Sequence, residues 1–267
     1  MGIKRVLNHK KVQNLFANYT ISKITPTTNG IVDTTYILTT PTNEYILKYY
    51  ERDIHSKIDE DAQRLQQLNA MGLHVPILVD KAQGYYLYTK LKGIHPHAVH
   101  SYHIVALARF LATMHTLSKD RSSPKPSSTF IKNYDLQQIL TYTKKHFYYY
   151  FSKLKHNHII HHNDGFIHGD IFKDNTLFEK NTIAVFDFID GGMGSFCFDC
   201  GVALMAFTPK TRQKYNMNLF LKVYNQHAPK KLSYKELASC MKEAKRLYAL
   251  LRINHYHTTS RAKELVF

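Results

Sequence analysis

Three polar side chains in the second half of the chain have types and a spacing that suit phosphoryl transfer. Asp170 lies five residues before Asn175, and Asp187 directly follows the apolar run of residues 183–186. Phosphoryl transfer needs a group that accepts or orients the hydroxyl proton, oxygen ligands for Mg²⁺ and a cation on the nucleotide phosphates. The pattern therefore predicts Asp170 as the base, with Asn175 and Asp187 as ligands of the metal ion.

Short strands must flank these residues if they are to face one another. Residues 165–168 and 182–188 are short apolar runs that each contain a polar residue at or near their end. Such runs predict buried strands on either side of a loop that contains Asp170. An isolated Asp in a loop is more often a turn or cap residue. The interpretation therefore depends on the ordered set in its strand context.

The first ninety residues are predicted to form mainly strands with one helix. Pro41, Thr42 and Asn43 have turn chemistry, and Gly72 is a plausible helix stop. We expect strands at residues 31–40 and 44–50, a helix at 58–71, and strands near 77–80 and 85–89.

The rest of the chain is predicted to be mostly helical. We expect a helix at residues 101–117 capped by Ser101, one or two helices within 134–160, and a helix at 237–253. Ser233 and Glu236 have the spacing of a capping box before the last of these. The chain is thus expected to be α+β and two-lobed, with a β-rich lobe at 1–90 and a mostly helical lobe at 91–267. This is the plan of the protein-kinase-like phosphotransferases.

The motif resembles that of the aminoglycoside phosphotransferase and choline kinase superfamily. His168, Asp170 and Asn175 match its His-x-Asp-x-x-x-x-Asn pattern, and Asp187 ends the strand that follows. The resemblance implies a catalytic lobe with Asp170 as the catalytic residue, His168 as a hydrogen-bonding support of the loop, and ATP and Mg²⁺ as cofactors. It also implies that Asp199 braces the loop.

In the first lobe the resemblance implies that Lys48 contacts the nucleotide phosphates. Its partner would be an acid on the following helix, where Glu60 and Asp61 compete. We favour Glu60 because its side chain is longer and reaches farther.

Residues 29–35 are the predicted loop over the phosphates. Gly30 would permit a close backbone approach to the nucleotide, and Thr34 and Thr35 belong to the same segment. The segment is neither a Walker A motif nor the multi-glycine loop of protein kinases.

Within the superfamily, the sequence is most similar to the homoserine kinase branch. Residues 171–178, 72–76 and 111–115 carry this likeness, which implies homoserine as the acceptor. The glycine-rich residues 191–195 depart from that branch at a place where an acceptor could be contacted. Choline, an amino sugar or an aminoglycoside is the alternative.

The charge of the chain favours anionic partners without choosing among them. It has 36 Lys and Arg against 20 Asp and Glu, a formal net charge of +16. The rival class is a basic nucleic-acid-binding or regulatory pseudokinase module, for which residues 144–155 interleave cations with aromatics. The complete set of candidate base and metal ligands argues against nucleic acid as a partner, and we expect a nucleotide and a small hydroxyl-bearing metabolite.

No secretory signal and no uninterrupted apolar run of membrane-spanning length is evident in the sequence, so we expect a cytoplasmic protein without a membrane partner. The sequence leaves the oligomeric state open. Three cysteines favour reduced thiols, and we interpret Cys197 and Cys200 as buried thiols instead of a zinc or redox pair. The histidines within residues 156–162 are not expected to bind a metal.

Overall fold

The computed structural model describes residues 5–27, 33–52, 54–119, 125–154, 163–260 and 262. The chain divides into two compact units, Met1–Lys92 and Gly93–Phe267. The first is built on a sheet and the second is mostly helical. The predicted α+β class is confirmed.

In its described residues the first unit consists of a five-stranded antiparallel sheet and two helices. The sheet order is β1-β2-β3-β5-β4. Its elements are α1 (His9–Leu15), β1 (Lys23–Pro26), β2 (Thr34–Thr39), β3 (Glu44–Tyr49), α2 (His55–Ala70), β4 (Leu78–Ala82) and β5 (Tyr85–Thr89).

The predicted hairpin of the first unit is confirmed. β2 and β3 pair in register from Thr34 opposite Tyr49 to Thr39 opposite Glu44. The turn closes with a 2.8 Å hydrogen bond from the Thr40 amide to the Asn43 carbonyl. Because alternate residues of β2 are buried, Tyr36 and Leu38 join the core of this unit.

Helix α2 begins three residues earlier than predicted and ends at Ala70. Ile58, Leu65 and Leu68 are almost fully buried, as expected for one apolar face. Gly72 follows in a left-handed conformation, with φ of 82°, which glycine adopts without a steric penalty.

The second unit contains six α-helices and two short two-stranded sheets among its described residues. β6 pairs with β9 and β7 with β8, both antiparallel. The elements are α3 (Ser101–Leu117), α4 (Leu136–His146), α5 (Tyr148–Leu154), β6 (Gly165–Ile167), β7 (Thr176–Glu179), β8 (Thr182–Val185), β9 (Gly192–Gly194), α6 (Phe196–Phe207), α7 (Gln213–His227) and α8 (Tyr234–Tyr256).

Two helix caps of this unit were predicted, one correctly. Ser233 and Glu236 form the expected capping box at the start of α8. The prediction of a Ser101 cap on α3 is wrong, because His100 is the cap residue there. The His103 amide donates to the His100 carbonyl at 3.1 Å, and Nδ1 of His103 accepts from the His100 amide at 2.9 Å.

Helices α6 and α7 were not predicted. α6 is buried on nearly every side, so it lacks the polar face that makes a helical period visible in a sequence. Gly201 lets it approach α8 closely, since a Cβ there would lie 2.7 Å from the Cys240 carbonyl carbon. Cys197, Cys200 and Cys240 are free and buried, as expected. In the described part of the chain no helix has the length and apolar character needed to cross a membrane.

Candidate active site

The loop between β6 and β7 holds the predicted base. The Asn175 side-chain amide donates to the Asp170 carboxylate at 2.8 Å and to the Asp170 carbonyl at 2.9 Å. A spacing of five residues thus closes the loop on itself. Because Nδ2 makes both bonds, the Asn175 side-chain oxygen takes no part in them.

The end of β8 holds Asp187 next to the loop that contains Asp170 and Asn175. The amide of Phe186 donates to the Asn175 carbonyl at 3.2 Å. Asp187 adopts a left-handed conformation, with φ of 71° and ψ of 52°. This conformation is costly for a residue with a side chain, and such residues cluster at functional sites. The structure therefore brings together Asp170, Asn175 and Asp187, all partly buried.

The carboxylates of Asp187 and Asp174 interact electrostatically with that of Asp170. Burial raises the pKa of Asp170 to about 7, with further contributions from the negative charges of Asp187 and Asp174. Hydrogen bonds from Tyr248 and Asn175 oppose this rise. A carboxyl group with a pKa near 7 is suited to accept a proton at neutral pH. Adjacent carboxylates with an amide oxygen are also the ligand types that a hard divalent cation prefers.

His168 is fully buried and belongs to the support of the loop. The Asp170 amide donates to His168 Nδ1 at 3.2 Å, so Nε2 carries the proton and donates to the Phe186 carbonyl at 3.1 Å. Burial lowers its pKa, in agreement with a neutral ring. Both ring nitrogens are occupied by backbone groups. These contacts suit a residue that orients the loop and leave neither nitrogen to react with a substrate.

Asp199, on α6, holds the backbone of the loop. Its carboxylate accepts from the Gly169 amide at 2.7 Å and the His168 amide at 3.1 Å. It also lies 3.0 Å from Nε2 of His115, on α3, and Nδ1 of that ring is 2.8 Å from the Tyr224 hydroxyl. These side chains have no exposed surface. A buried network from three helices therefore sets the position of the loop.

Gly169 allows the loop to turn next to an aromatic ring. Its φ is 75°, and a Cβ there would lie 2.1 Å from the Phe130 ring. The Tyr248 hydroxyl, from α8, donates to the Gly169 carbonyl. Only glycine satisfies both the backbone conformation and the close approach at this position.

Tyr248 and His115 are site residues that the sequence interpretation did not assign. The Tyr248 hydroxyl donates to the Gly169 carbonyl and interacts with the Asp170 carboxyl group, yet in the sequence Tyr248 is one aromatic residue of an amphipathic helix. His115 was seen only as part of a family-like segment. Neither position carries a local signal of its partner.

The glycines of residues 191–195 have a packing reason. A Cβ at Gly192 would lie 2.7 Å from the Phe130 amide nitrogen and 2.9 Å from the Ser128 carbonyl oxygen. The Met193 amide donates to that carbonyl at 2.9 Å. Gly192 therefore lets β9 lie against the backbone of residues 128–130.

In the first unit, Lys48 lies on β3 between Thr35 of β2 and Tyr86 of β5. Its ammonium is 5.7 Å from the centre of the Tyr50 ring. Burial raises the pKa of Tyr88, and the charges of Asp61 and Lys48 both act on that hydroxyl. Asp61 and Lys48 therefore lie near the same buried phenol.

The two candidate acids on α2 have different surroundings. Asp61 is 7% exposed. Glu60 lies 2.5 Å from the guanidinium of Arg64, one helical turn further on. The structure thus gives Glu60 a partner on its own helix and places Asp61 on the buried side.

The predicted phosphate loop is described only in part. Gly30 lies outside the described residues. Thr34 is 1% exposed, and its hydroxyl donates to Glu51 at 2.8 Å, so this side chain is occupied within the unit. Thr35 is partly buried, and its carbonyl accepts from the amide and hydroxyl of Thr27.

Among the described residues, no three His, Cys, Asp or Glu side chains converge on one metal position. Asn175 and Asp187 would supply two oxygen ligands. Mg²⁺ commonly takes one or two protein carboxylates and completes its shell with substrate phosphates and water. The residues present therefore fit a metal that arrives with a nucleotide.

Comparison with known proteins gives a family and a fold. The sequence model of the phosphotransferase enzyme family matches residues 23–222. No curated protein sequence matches the chain significantly.

Solved structures similar to the chain come from small-molecule kinases. An amicoumacin kinase in complex with AMP-PNP, Ca²⁺ and Ami is 18% identical, with a TM-score of 0.69 over 97% of this chain and 93% of that one. Macrolide 2'-phosphotransferase MphH from Brachybacterium faecium is 14% identical, with a TM-score of 0.66 over 96% and 97%. Choline kinase from Cryptosporidium parvum Iowa II is 12% identical, with a TM-score of 0.63 over 92% and 87%. These likenesses confirm the predicted kinase-like fold.

Proposed function

This chain belongs to the phosphotransferase enzyme family, and we propose that it transfers the γ-phosphate of ATP to a hydroxyl group of a small metabolite. The observation that carries the proposal is the meeting of Asp170, Asn175 and Asp187 at one loop. A base and two metal ligands together are what the reaction requires of a protein. The AMP-PNP in the similar amicoumacin kinase supports a nucleotide as the donor.

In this proposal Asp170 accepts the proton of the acceptor hydroxyl, or orients that hydroxyl. The hydroxyl oxygen attacks the γ-phosphorus of ATP, the bond from that phosphorus to the β,γ-bridging oxygen breaks, and ADP leaves. Asn175 holds the carboxylate in position through a hydrogen bond, and Tyr248 supports the loop through the Gly169 carbonyl. His168 and Asp199 fix the loop backbone, which limits the freedom of the base.

Asn175 and Asp187 would bind Mg²⁺. When bound, the ion neutralises charge on the phosphates. The negative charges of Asp187 and Asp174 raise the pKa of Asp170. A bound cation would offset the repulsion among these carboxylates, which supports a metal ion at this place.

Lys48 would neutralise the nucleotide phosphates, with Gly30 and Thr35 in the segment that contacts them. Thr34 would serve this segment through its backbone, because its hydroxyl is bound to Glu51. We place the whole of 1–90 as the nucleotide-binding lobe and 91–267 as the catalytic and substrate-binding lobe.

We propose Asp61, in place of Glu60, as the acid that supports Lys48. Asp61→Asn is expected to raise the KM for ATP about tenfold, because it removes a buried charge near the lysine. Glu60→Gln serves as the matched control, since Glu60 pairs with Arg64, and its KM for ATP should change less than about threefold. Initial rates at varied ATP measure both. A larger effect of Glu60→Gln would favour Glu60 as the partner instead.

The acceptor we favour is homoserine, on the sequence of residues 171–178. Choline, amino sugars and aminoglycosides are the alternatives within the same reaction. A chain of net charge +16 disfavours polycationic acceptors through like-charge repulsion.

An ADP-release screen tests the proposed function. With ATP and Mg²⁺ fixed, homoserine, choline, ethanolamine, sugars and aminoglycosides are added one at a time. Release that depends on one acceptor, and that falls at least about 100-fold in Asp187→Asn, is the expected result. No release with any acceptor, together with salt-sensitive RNA or DNA binding, would contradict the proposal and favour the nucleic-acid-binding class.

A further inference from the structure

Helix α8 carries two side chains that contact the catalytic loop, Tyr248 and Arg252. Tyr248 and Arg252 are four residues apart and so lie on one face of the helix, about one turn apart. The ring of Phe172, two residues after Asp170, contacts both of them. Its centre lies 4.8 Å from that of Tyr248, edge to face, and 5.7 Å from the Arg252 guanidinium carbon.

These contacts place the guanidinium against an aromatic residue of the catalytic loop. The Tyr248 hydroxyl donates to the Gly169 carbonyl and interacts with the Asp170 carboxyl group, so the same face of α8 carries a residue that supports the loop and, one turn later, an arginine. Phe172 and Arg252 are each partly buried. Stacking on an aromatic face keeps a guanidinium charged and oriented, with its donors directed along its plane.

The neighbouring helical segments carry no acidic residue. Residues 136–154, which include α4 and α5, contain no Asp or Glu, and neither do residues 247–256 of α8. These helices pack together, since the Asn254 side chain donates to the Ile139 carbonyl at 3.2 Å and Tyr150 shares a core cluster with Leu250. A cationic acceptor would find no carboxylate on these segments.

We propose that Arg252 is a specificity-determining residue that binds an anionic group, a carboxylate or its equivalent, on the hydroxyl-bearing acceptor. This rests on the proposed phosphotransferase function and narrows the acceptor to a hydroxy acid. A guanidinium binds a carboxylate through two parallel hydrogen bonds, which would orient the acceptor as well as hold it. The apolar ring of Phe172 would contact the carbon chain that joins the acceptor's hydroxyl to its anionic group.

Matched acceptor pairs test this assignment. Hydroxy acids of three to five carbons, homoserine among them, are compared with their neutral amides and with amino alcohols of the same length, by acceptor-dependent ADP release. We expect the wild type to prefer the acid of at least one pair by about 10-fold or more in kcat/KM. In Arg252→Gln the KM for that acid should rise by about 10- to 100-fold and the preference should approach one, whereas Arg252→Lys should recover part of it.

Arg212→Gln is the matched control. The Arg212 guanidinium also lies over an aromatic ring, 5.6 Å from the centre of Tyr215, and Arg212 is exposed. This variant loses the same charge and a comparable contact, so its preference for the acid should equal that of the wild type.

The outcomes separate the two proposals. Acceptor-dependent release with amides or amino alcohols favoured, or an equal effect of Arg252→Gln on both members of a pair, would overturn the role of Arg252 and leave the phosphotransferase intact. If the wild type released no ADP with any acceptor, both the role of Arg252 and the phosphotransferase function would be contradicted.

Discussion

Asp170→Asn is expected to lower acceptor-dependent ADP release by about 10²- to 10⁴-fold while the protein becomes more stable at alkaline pH. The amide has nearly the shape of the carboxylate, and its oxygen can accept from Asn175 as the carboxylate does. It cannot take up a proton at neutral pH. Loss of activity would therefore be a loss of chemistry in a folded protein.

The effect of pH on stability has a definite direction. The pKa of Asp170 is about 7 in the folded protein, chiefly through burial, and near 4 in an unfolded chain. Between these values the folded protein holds a proton that the unfolded chain has released. Its free energy of unfolding therefore falls as the pH rises from about 4 to 7 and stays low above that range.

The Asp170→Asn substitution removes this pH-dependent contribution. In protein freed of metal by a chelator, we expect the variant to exceed the wild type by about 1 to 3 kcal/mol at pH 8, and the difference to vanish near pH 4. Urea unfolding at the two pH values measures it. Asp135→Asn is the control, because Asp135 is an exposed helix cap that an asparagine replaces well. An Asp170→Asn protein that retains turnover, or that is less stable at pH 8, would contradict the assignment.

Asp199→Asn is expected to destabilise the protein by about 3 to 5 kcal/mol and to reduce kcat about 100-fold or more. The carboxylate meets the amides of Gly169 and His168 and the ring of His115 with no exposed surface. An amide side chain has one acceptor oxygen and would turn its NH₂ group toward a donor. At least one buried donor would lose its partner.

The free energy of unfolding and kcat together show whether Asp199 supports the catalytic loop or acts directly in the reaction. Urea unfolding gives the free energy of unfolding, and ADP release at saturating ATP gives kcat. Asp135→Asn again provides a matched change at an exposed site. If Asp199→Asn were as stable as the wild type and as active, the network from His115 to the loop would have no part in positioning Asp170.

Much of the fold followed from local patterns. The β2 and β3 hairpin, helix α2 and the capping box of Ser233 were predicted because alternation, helical spacing and turn residues act over a few positions. α6 was missed for the opposite reason. It is buried on nearly every side, and burial of that kind is a property of its neighbours.

The candidate site, like the fold, was predictable from the sequence only in part. The spacing of Asp170, Asn175 and Asp187 is local, since one loop and one short hairpin join them, and the sequence alone determined that they could meet. The different surroundings of Glu60 and Asp61, the burial of His168, and the placement of Tyr248 and Arg252 became visible only in the tertiary structure.

The physical reason is the distance along the chain between partners. Tyr248 donates to Gly169 across 79 residues, and His115 meets Asp199 across 84. Such contacts arise when helices pack, and each of these residues has an ordinary structural role when its segment is considered alone. The sequence thus determined which residues could perform phosphoryl transfer, and helix packing determined how they are held.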